Sequence, residues 1–266
     1  GYTGQINYNY KSRYLLDLSA AYNGTDRFGK DNRFGFFPAI GLGWNIAEEP
    51  FFRERFENID MLKLRGSFGL VGSDATPGNR YLYKQQYESG EGYNFGEVAE
   101  KYPTYKEGTL GNPNITWEKA RKFNVGIDAN MFKKLSFSVD FFYDFRYDQL
   151  VERSDISQIL GIGLPRSNVG ETSNKGFDGQ ISYNDRFGQF DFNTNFVFSF
   201  AKNKVKYKAE AQQRYDWLRE TGKPINQPMG YKFNGFYTPE EIAEIRAGNP
   251  NGIPIPDVTI EPGDIK

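Results

Sequence analysis

Apolar and polar residues alternate along much of the chain, and residues 135–147 show this most clearly. The odd positions of this stretch are leucine, valine, phenylalanine or tyrosine. The even positions are serine, aspartate or arginine, apart from Phe142. Side chains of a β-strand point to opposite faces of the sheet in turn. The stretch therefore predicts a strand with one apolar, aromatic face and one polar face.

The same alternation recurs in other stretches of strand length, and together they predict eight strands. Residues 230–237 suggest a ninth, weaker strand. Strands of this kind are typical of an all-β protein with a two-sided sheet. The other seven clear stretches are residues 2–11, 13–24, 36–46, 61–72, 120–132, 176–185 and 188–203.

The links between these strands also alternate in length. Short or middling links fall near residues 11–13, 47–60, 132–134 and 185–189, and long ones fall at 25–33, 73–117, 153–175 and about 205–228. Successive links of an antiparallel sheet lie at opposite ends, so the long links share one end. Outer-membrane barrels have short periplasmic turns and long extracellular loops. The pattern favours such a barrel, and a soluble β-sandwich is the alternative.

Composition narrows the functional classes. The chain has 266 residues, a net charge of −1 and 17% aromatic residues, with no His and no Cys. The charge gives no reason to expect nucleic-acid binding. The absence of His and Cys removes disulfides, thiol chemistry and the commonest general base and metal ligand. We predict no catalytic residue, no metal site and no cofactor.

Helical signals are few. Residues 238–248 carry a Thr N-cap, a Pro in the first turn and a Gly stop, and therefore predict a helix. Residues 208–220 are a weaker helical candidate. No apolar run is long enough for a transmembrane helix. The chain opens on Gly1 rather than Met, and it is interpreted as an internal piece of a longer polypeptide or as the ordered part of one.

Several phrases resemble the SusC/RagA family of TonB-dependent outer-membrane transporters, in the family's order and nearly from end to end. The most recognisable is RYLLDLSAAYNGTDRFGKDNRFGFFPAIGLGWNIAEEPFF at residues 13–52. The others are LKLRGSFGLVGSD (62–74), LGNPNITWEKARKFNVGIDANMF (110–132), NVGETSNKGFDGQISYN (168–184), FNTNFVFSFAKNKV (192–205), PMGYKFNGFYTPEEI (228–242) and PGDIK (262–266).

This resemblance implies a transmembrane antiparallel β-barrel in the cell outer membrane, of the 22-stranded type with a plugged lumen. It implies import of oligosaccharides or peptides, with a SusD-like surface lipoprotein as lid and TonB as the source of energy. Residues 1–266 are expected to form part of one barrel domain and its extracellular loops. The plug, the TonB-contacting segment and the last strands are expected outside this chain.

Aromatic residues crowd the long link 73–117. Aromatic faces bind sugar rings and peptide side chains at low entropic cost. We predict a rim that faces the substrate or the lid; the alternative is packing within the loop or anchoring at the membrane interface. The candidate substrate-binding residues are Tyr81, Tyr83, Tyr87, Tyr93, Tyr102, Tyr105 and Trp117. Phe95 is a further aromatic residue of the same loop.

Polar residues on the other strand face are expected to line the lumen, either along the passage or simply solvated. Asp140 and Asp144 share this face and raise the question of a glycosidase carboxylate pair. Polar strands produce such pairs by chance, and we predict that the chain is not an enzyme. The lumen-facing candidates are Asp128, Asp140, Asp144, Asn193 and Asn195.

Two other functions stay open at this point. One is a surface receptor or structural barrel module without transport. The other is a soluble β-sandwich that binds carbohydrate. The outer-membrane importer is the leading hypothesis, with lipid, substrate, lid lipoprotein and TonB as partners and no nucleic acid.

Overall fold

A computed structural model describes residues 1–76, 80–97, 100–157, 159, 161–230, 232–249, 251–253, 255 and 259–266. They form two units, residues 1–225 and 226–266. The strands are β1 Tyr2–Tyr10, β2 Tyr14–Gly24, β3 Phe34–Asn45, β4 Ile59–Ser73, β5 Tyr87–Ser89, β6 Tyr93–Phe95, β7 Glu100–Tyr102, β8 Tyr105–Glu107, β9 Glu118–Met131, β10 Leu135–Val151, β11 Ser167–Phe187 and β12 Phe190–Tyr207. The α-helices are α1 Pro50–Arg53 and α2 Pro239–Arg246.

Eight strands of the first unit form a single sheet, in the order β1-β2-β3-β4-β9-β10-β11-β12. Every neighbouring pair is antiparallel. Neighbours in the sheet follow one another along the chain, except that β4 pairs with β9 across the long link. This meander is the topology from which up-and-down barrels are built. The eight clear strands predicted from alternation are all present.

The sheet has two chemically different faces. The apolar face carries Phe123, Tyr143 and Phe177 in neighbouring strands, and the polar face carries Asp128, Ser138 and Gln180; cross-strand pairing places each set on one side. Phe177 contacts Phe141, Phe198 and Phe200, with ring centroids 6.1, 6.3 and 5.8 Å apart. The alternation in the sequence is therefore an alternation in space.

The two ends of the sheet differ as well. The turn end carries the links after β1, β3, β9 and β11, and those after β1, β9 and β11 are tight turns. The loop end carries the segments after β2, β4, β10 and β12. Two turns have consecutive residues with positive φ, Lys11–Ser12 and Phe132–Lys133. Such primed turns match the twist of antiparallel strands and allow tight hairpins. The predicted sorting holds for the tight turns and the longest loops, but the turn-end link after β3, residues 46–58, is longer than the loop-end link after β2, residues 25–33.

No second sheet covers the apolar face within the described residues, since the other two sheets are two-stranded hairpins. Large apolar side chains stay open, and Phe196 and Phe190 are 64% and 79% exposed. A sandwich would bury this face between two sheets. The described residues therefore do not form the β-sandwich that was the alternative.

A compact apolar cluster lies at the loop end of the sheet. Trp117 packs edge-on against Phe28 and Phe37, with ring centroids 5.7 and 5.2 Å apart. Ile115 and Leu150 complete the buried set. The cluster joins residues from the links after β2 and β4, from β3 and from the end of β10. The long loops are thus anchored to the sheet by burial.

Three smaller expectations have different outcomes. The helix at residues 238–248 is confirmed as α2, where Thr238 and Glu241 form a capping box. The ninth strand is wrong: the described residues of 230–237 contain only an isolated bridge from Phe236 to Ile265, and Tyr231 lies outside the described residues. The weaker helix at 208–220 is also wrong, since only Asp216–Leu218 forms a 3₁₀ turn. Among described helices, none has the length and apolar character to cross a membrane.

Candidate functional site

The polar face holds a charged cluster at its centre. Arg65 of β4 donates to Asp128 of β9 through Nε (2.9 Å) and Nη2 (3.2 Å), and it forms two short contacts with Asp140 of β10. Ser138 donates to Asp128 at 2.7 Å. The side chains of Arg65, Asp128 and Asp140 are 31%, 22% and 19% exposed. One guanidinium therefore ties three neighbouring strands through two carboxylates.

A glycine makes this contact possible. Gly126 of β9 lies directly between Arg65 and Asp140 in the cross-strand row. A Cβ added there would meet Arg65 Cζ and Asp140 Oδ1, each at 2.7 Å. The missing side chain lets the guanidinium pass over the β9 backbone to the second carboxylate. Sequence reasoning did not single out Arg65 and missed this cluster, because only the register shows that Arg65, Asp128 and Asp140 meet.

The other polar-face candidates lie further along the same side. Asp144 faces Lys122 and Asn174 in the neighbouring strands, and Asn193 faces Asn184. Asn195 accepts a hydrogen bond from Ser182 Oγ at 3.0 Å. The structure thus puts all five lumen-facing candidates on one face, but it does not bring them into one site. Asp140 is held by Arg65 and does not stand free to pair with Asp144.

An open groove lies beside the Arg65 cluster on this face. Its volume is about 390 Å³, and its walls come from β1, β2, β3, β4 and β9. Asn9, Asp17, Lys63, Ser67 and Asn124 supply polar groups of both charges and of amide type. Such a surface can hydrogen-bond hydroxyl and amide groups of a passing ligand.

Two small hairpins inside the link 74–117 present aromatic residues to solvent. Tyr87 and Tyr105 lie on one face of the β5–β8 hairpin and are 66% and 76% exposed. Tyr93 and Tyr102 face each other in the β6–β7 hairpin. Phe95 contacts both, with centroid distances of 4.8 and 5.8 Å. The sequence predicted this aromatic region but not its hairpins, because three-residue strands show no alternation.

Tyr81 and Tyr83 occupy a different place, beside the loop after β2. Their rings meet edge-on at 6.1 Å, and Lys84 lies over both. The Tyr81 hydroxyl donates to Asp26 at 3.3 Å, and Arg80 binds the same carboxylate at 2.7 Å. The Arg80 guanidinium lowers the pKa of Asp26 below its usual range. Tyr81 therefore helps to connect two loops, and Tyr83 packs against it.

Trp117 is buried and does not face solvent. It is 6% exposed, and its Nε1 donates to the Arg33 carbonyl at 3.3 Å. Its ring lies in the apolar cluster of the loop end. The structure therefore separates Trp117 from the six tyrosines with which it was grouped, and its observed contacts are those of packing within the loops.

Asn168 is a further residue that sequence reasoning did not single out. Its amide donates to the carbonyls of Thr116 and Asp148 at 2.9 and 2.7 Å and accepts from the Thr116 amide at 3.0 Å. One side chain thereby ties the start of β11 to the segments before β9 and within β10. An Asn at the start of a strand gave no signal of this role, because its partners are distant in sequence.

Glu49 attaches the link after β3 to the turn end of the sheet. It is 7% exposed and accepts hydrogen bonds from Tyr14 Oη (2.7 Å) and Trp44 Nε1 (3.1 Å), with Arg13 at 3.5 Å. The hydrogen bonds from Tyr14 and Trp44 lower the pKa of Glu49. The link after β3 is therefore held to the sheet by a charged carboxylate.

We expect Glu49→Gln to destabilise the protein at neutral pH and to matter less in acid. A lowered native pKa gives stability that is present above the unfolded-state value of about 4.3 and is lost as pH falls through the native value. Guanidinium unfolding midpoints of the native protein and the variant, measured from pH 7 to pH 3, should converge in acid. The matched control is Glu57→Gln in the same link. A pH-independent gap between native protein and Glu49→Gln would contradict this role.

The described residues contain no group of three or more acidic, His or Cys side chains that could hold a metal ion. The polar features are instead the Arg65 cluster, the adjoining groove and the exposed tyrosines of the loop end.

Comparisons with known proteins match this architecture. The family model TonB dependent receptor-like, beta-barrel matches residues 1–243. TonB-dependent receptor P39 of Formosa agariphila is 33% identical over 257 residues, which is 94% of this chain and 23% of that protein. TonB-dependent receptor SusC of Bacteroides thetaiotaomicron is 25% identical over 272 residues, which is 98% of this chain and 26% of that protein.

Solved structures show the same fold. The RagAB peptide importer in its closed-closed state superposes with a TM-score of 0.70 and 21% identity, over 89% of this chain and 25% of that chain. In its open-open state the TM-score is 0.71 with 22% identity, over the same shares. The chain thus spans about a quarter of the length of the relatives that it matches. The chain belongs to the TonB-dependent receptor β-barrel family, in its SusC/RagA-like branch, and forms part of the wall of an outer-membrane barrel.

Proposed function

We propose that this chain supplies barrel wall and extracellular loops to a TonB-dependent importer of oligosaccharides or peptides. The observation that carries the proposal is the two-faced meander with its longest loops at one end. Its apolar face suits lipid, and its polar face suits a wet passage. Membership of this family also supports TonB-dependent import, because its members are TonB-dependent receptors.

The exposed tyrosines are the proposed substrate-facing surface. Tyr87, Tyr93, Tyr102 and Tyr105 stand on two hairpins at the loop end, where a substrate or a lid would first meet the barrel. Flat aromatic faces stack on sugar rings and on peptide side chains alike. The polar groove beside Arg65 then offers hydroxyl- and amide-binding groups further along. A SusD-like surface lipoprotein and TonB are the proposed partners.

The experiment measures uptake by cells that carry the full-length protein. The probes are fluorescently labelled maltooligosaccharides and fluorescently labelled tryptic peptides. Import should require TonB, and Tyr87→Ala/Tyr105→Ala should lower uptake of one probe class about tenfold, equivalent to about 1.4 kcal/mol. The matched control is Phe51→Ala, an exposed aromatic residue at the turn end.

The possible outcomes test two claims separately, import and the assignment of the tyrosines to the substrate-facing surface. Surface binding that never leads to TonB-dependent entry would contradict import and favour a receptor without transport. TonB-dependent entry that is unchanged in the tyrosine variant would contradict only the substrate-facing assignment. Uptake reduced equally by Phe51→Ala would also contradict that assignment.

A further inference from the structure

The apolar face of the sheet carries basic residues at one corner. Lys175 of β11 lies directly opposite Lys202 of β12, and Lys204 follows two residues later on the same face. Arg121 of β9 lies in the row of Lys204, since the register runs Arg121, Phe145, Ser173, Lys204. All four basic residues are exposed. They form what we call the basic corner.

The position of the basic corner matches the upper border of a membrane. Ten residues separate Arg121 from Met131 at the turn end of β9. At about 3.4 Å per residue and a tilt of ~45°, this distance spans roughly 24 Å of membrane. The apolar band of outer-membrane barrels is about 25 Å tall. Arg121 therefore reaches the level of the lipid head groups, and Lys204 lies in the same cross-strand row. Lys175 and Lys202 lie two residues nearer the turn end, and a lysine side chain is long enough to bring its ammonium group from there to the head groups.

The charge is concentrated in one half of the sheet. At the same end of the apolar face, β1–β3 carry Tyr2, Tyr22, Phe34 and Phe36, which are uncharged. Tyr22 and Phe34 stack with ring centroids 5.3 Å apart. An ordinary interfacial girdle is aromatic in this way. The basic corner is thus a local feature of β9–β12, in addition to the girdle.

The lysines have no carboxylate partner in the part of the chain that the structure describes. Among the described residues, no carboxylate forms an ion pair with Lys175, Lys202 or Lys204, whereas the nearby Lys119 binds Asp148 at 3.0 Å. Like charges directly opposite each other in a sheet are destabilising. Arg121 lies over the Tyr147 ring at 4.9 Å, which orients it beside the lysines without neutralising it. The corner therefore presents unneutralised positive charge where an anion would relieve repulsion.

The surface below the basic corner is apolar and continuous. Phe177 follows Lys175 in β11 and is surrounded by Phe141, Phe198 and Phe200. A molecule that fits both parts has an anionic head and an apolar tail. A free phosphate would use only the basic corner, and an acidic soluble protein would leave the aromatic floor without a counterpart.

We propose that Arg121, Lys175, Lys202 and Lys204 form a binding site for the phosphate head group of an anionic outer-leaflet lipid, whose acyl chains lie against the aromatic floor at Phe177. The site faces away from the passage, so it is independent of the imported substrate.

The test uses the full-length protein in neutral detergent and native mass spectrometry. The probes are phosphatidylglycerol and, with the same acyl chains, phosphatidylcholine. The variant is Lys175→Gln/Lys202→Gln/Lys204→Gln, and Lys202→Gln alone is a milder second variant. The matched control, Lys63→Gln/Lys122→Gln/Arg146→Gln, removes three positive charges from the polar face.

The expected result is specific to the apolar face. Each lysine near an anionic lipid surface contributes roughly fivefold, so the triple variant should raise the dissociation constant for phosphatidylglycerol on the order of a hundredfold. The single variant should raise it about fivefold. The polar-face control should bind phosphatidylglycerol as the native protein does, and phosphatidylcholine binding should be the same throughout. In detergent without anionic lipid, the triple variant should resist heat at least as well as the native protein.

Several results would overturn the proposal. Equal phosphatidylglycerol binding by the native protein and the triple variant would show that the proposed site does not exist. An equal loss in the polar-face control would show a general charge effect. Displacement of the lipid by equimolar glycerol phosphate would show a site for a free phosphate instead. Lower heat resistance of the triple variant without lipid would show that these lysines stabilise the fold by themselves.

Discussion

Replacing Val139 with Lys is expected to lower the free energy of unfolding by about 2–4 kcal/mol, the cost of a lysine at the midplane of the lipid face of a barrel. Val139 lies on the apolar face of β10, opposite Ile127 and Gly179. It is four residues from Leu135 at the turn end, or roughly 10 Å across the membrane for a strand tilted by ~45°. This depth is close to the middle of the apolar band.

The matched control is Gln180→Lys, which puts the same charge on the polar face in the adjoining strand. Gln180 is exposed and lies opposite Ser138 and Val197. Ser138 itself is a poorer control, because its hydroxyl donates to Asp128. Unfolding would be followed by guanidinium titration of the full-length protein in lipid vesicles. Equal losses in the two variants would contradict the assignment of the apolar face to lipid.

The strands were predictable because their alternation is the direct consequence of having lipid on one side and water on the other. Residues 135–147 show it most strongly, and β10 does form there. The end of the sheet at which each link lies was also predictable, since antiparallel order sends successive links to opposite ends. The weak ninth strand at residues 230–237 failed because only part of that stretch alternates and no neighbouring strand was there to pair with it in the described residues.

The functional detail was less accessible, because it depends on register. Arg65 and Asp140 are 75 residues apart, and they meet only because β9 lies between β4 and β10 with Gly126 in the same row. Trp117 looked like the neighbouring tyrosines in sequence. Its burial depends on Phe28 and Phe37, which come from another loop and another strand. Local pattern does not reveal such distant contacts.

Replacing Arg65 with Ala is expected to cost about 2–3 kcal/mol of unfolding free energy. Removing one partner of a fully buried ion pair costs about 3–5 kcal/mol, because an uncompensated charge is left behind. Here the side chains are about one-fifth to one-third exposed, so we expect a smaller loss. Two carboxylates, Asp128 and Asp140, would then face each other without a cation between them.

The cause of the loss can be separated from lost packing. In the Arg65→Ala background, Asp128→Asn/Asp140→Asn should recover at least half of the stability, because the stranded negative charges are removed. Gly126→Ala should lower stability in the same direction, since its Cβ would meet the guanidinium. Arg80→Ala, which breaks an open pair with Asp26 whose partners are both more than half exposed, should change stability little.

The same variants test whether the Arg65 cluster also sets the shape of the passage. Arg65 joins β4, β9 and β10 on the polar face, next to the groove lined by Lys63, Ser67 and Asn124. If the cluster sets the spacing of these strands, Arg65→Ala should change uptake of the labelled probes, and the asparagine pair should not restore it. Full recovery of both stability and uptake would show that the guanidinium only balances charge. No loss of stability in Arg65→Ala would contradict the role of the cluster altogether.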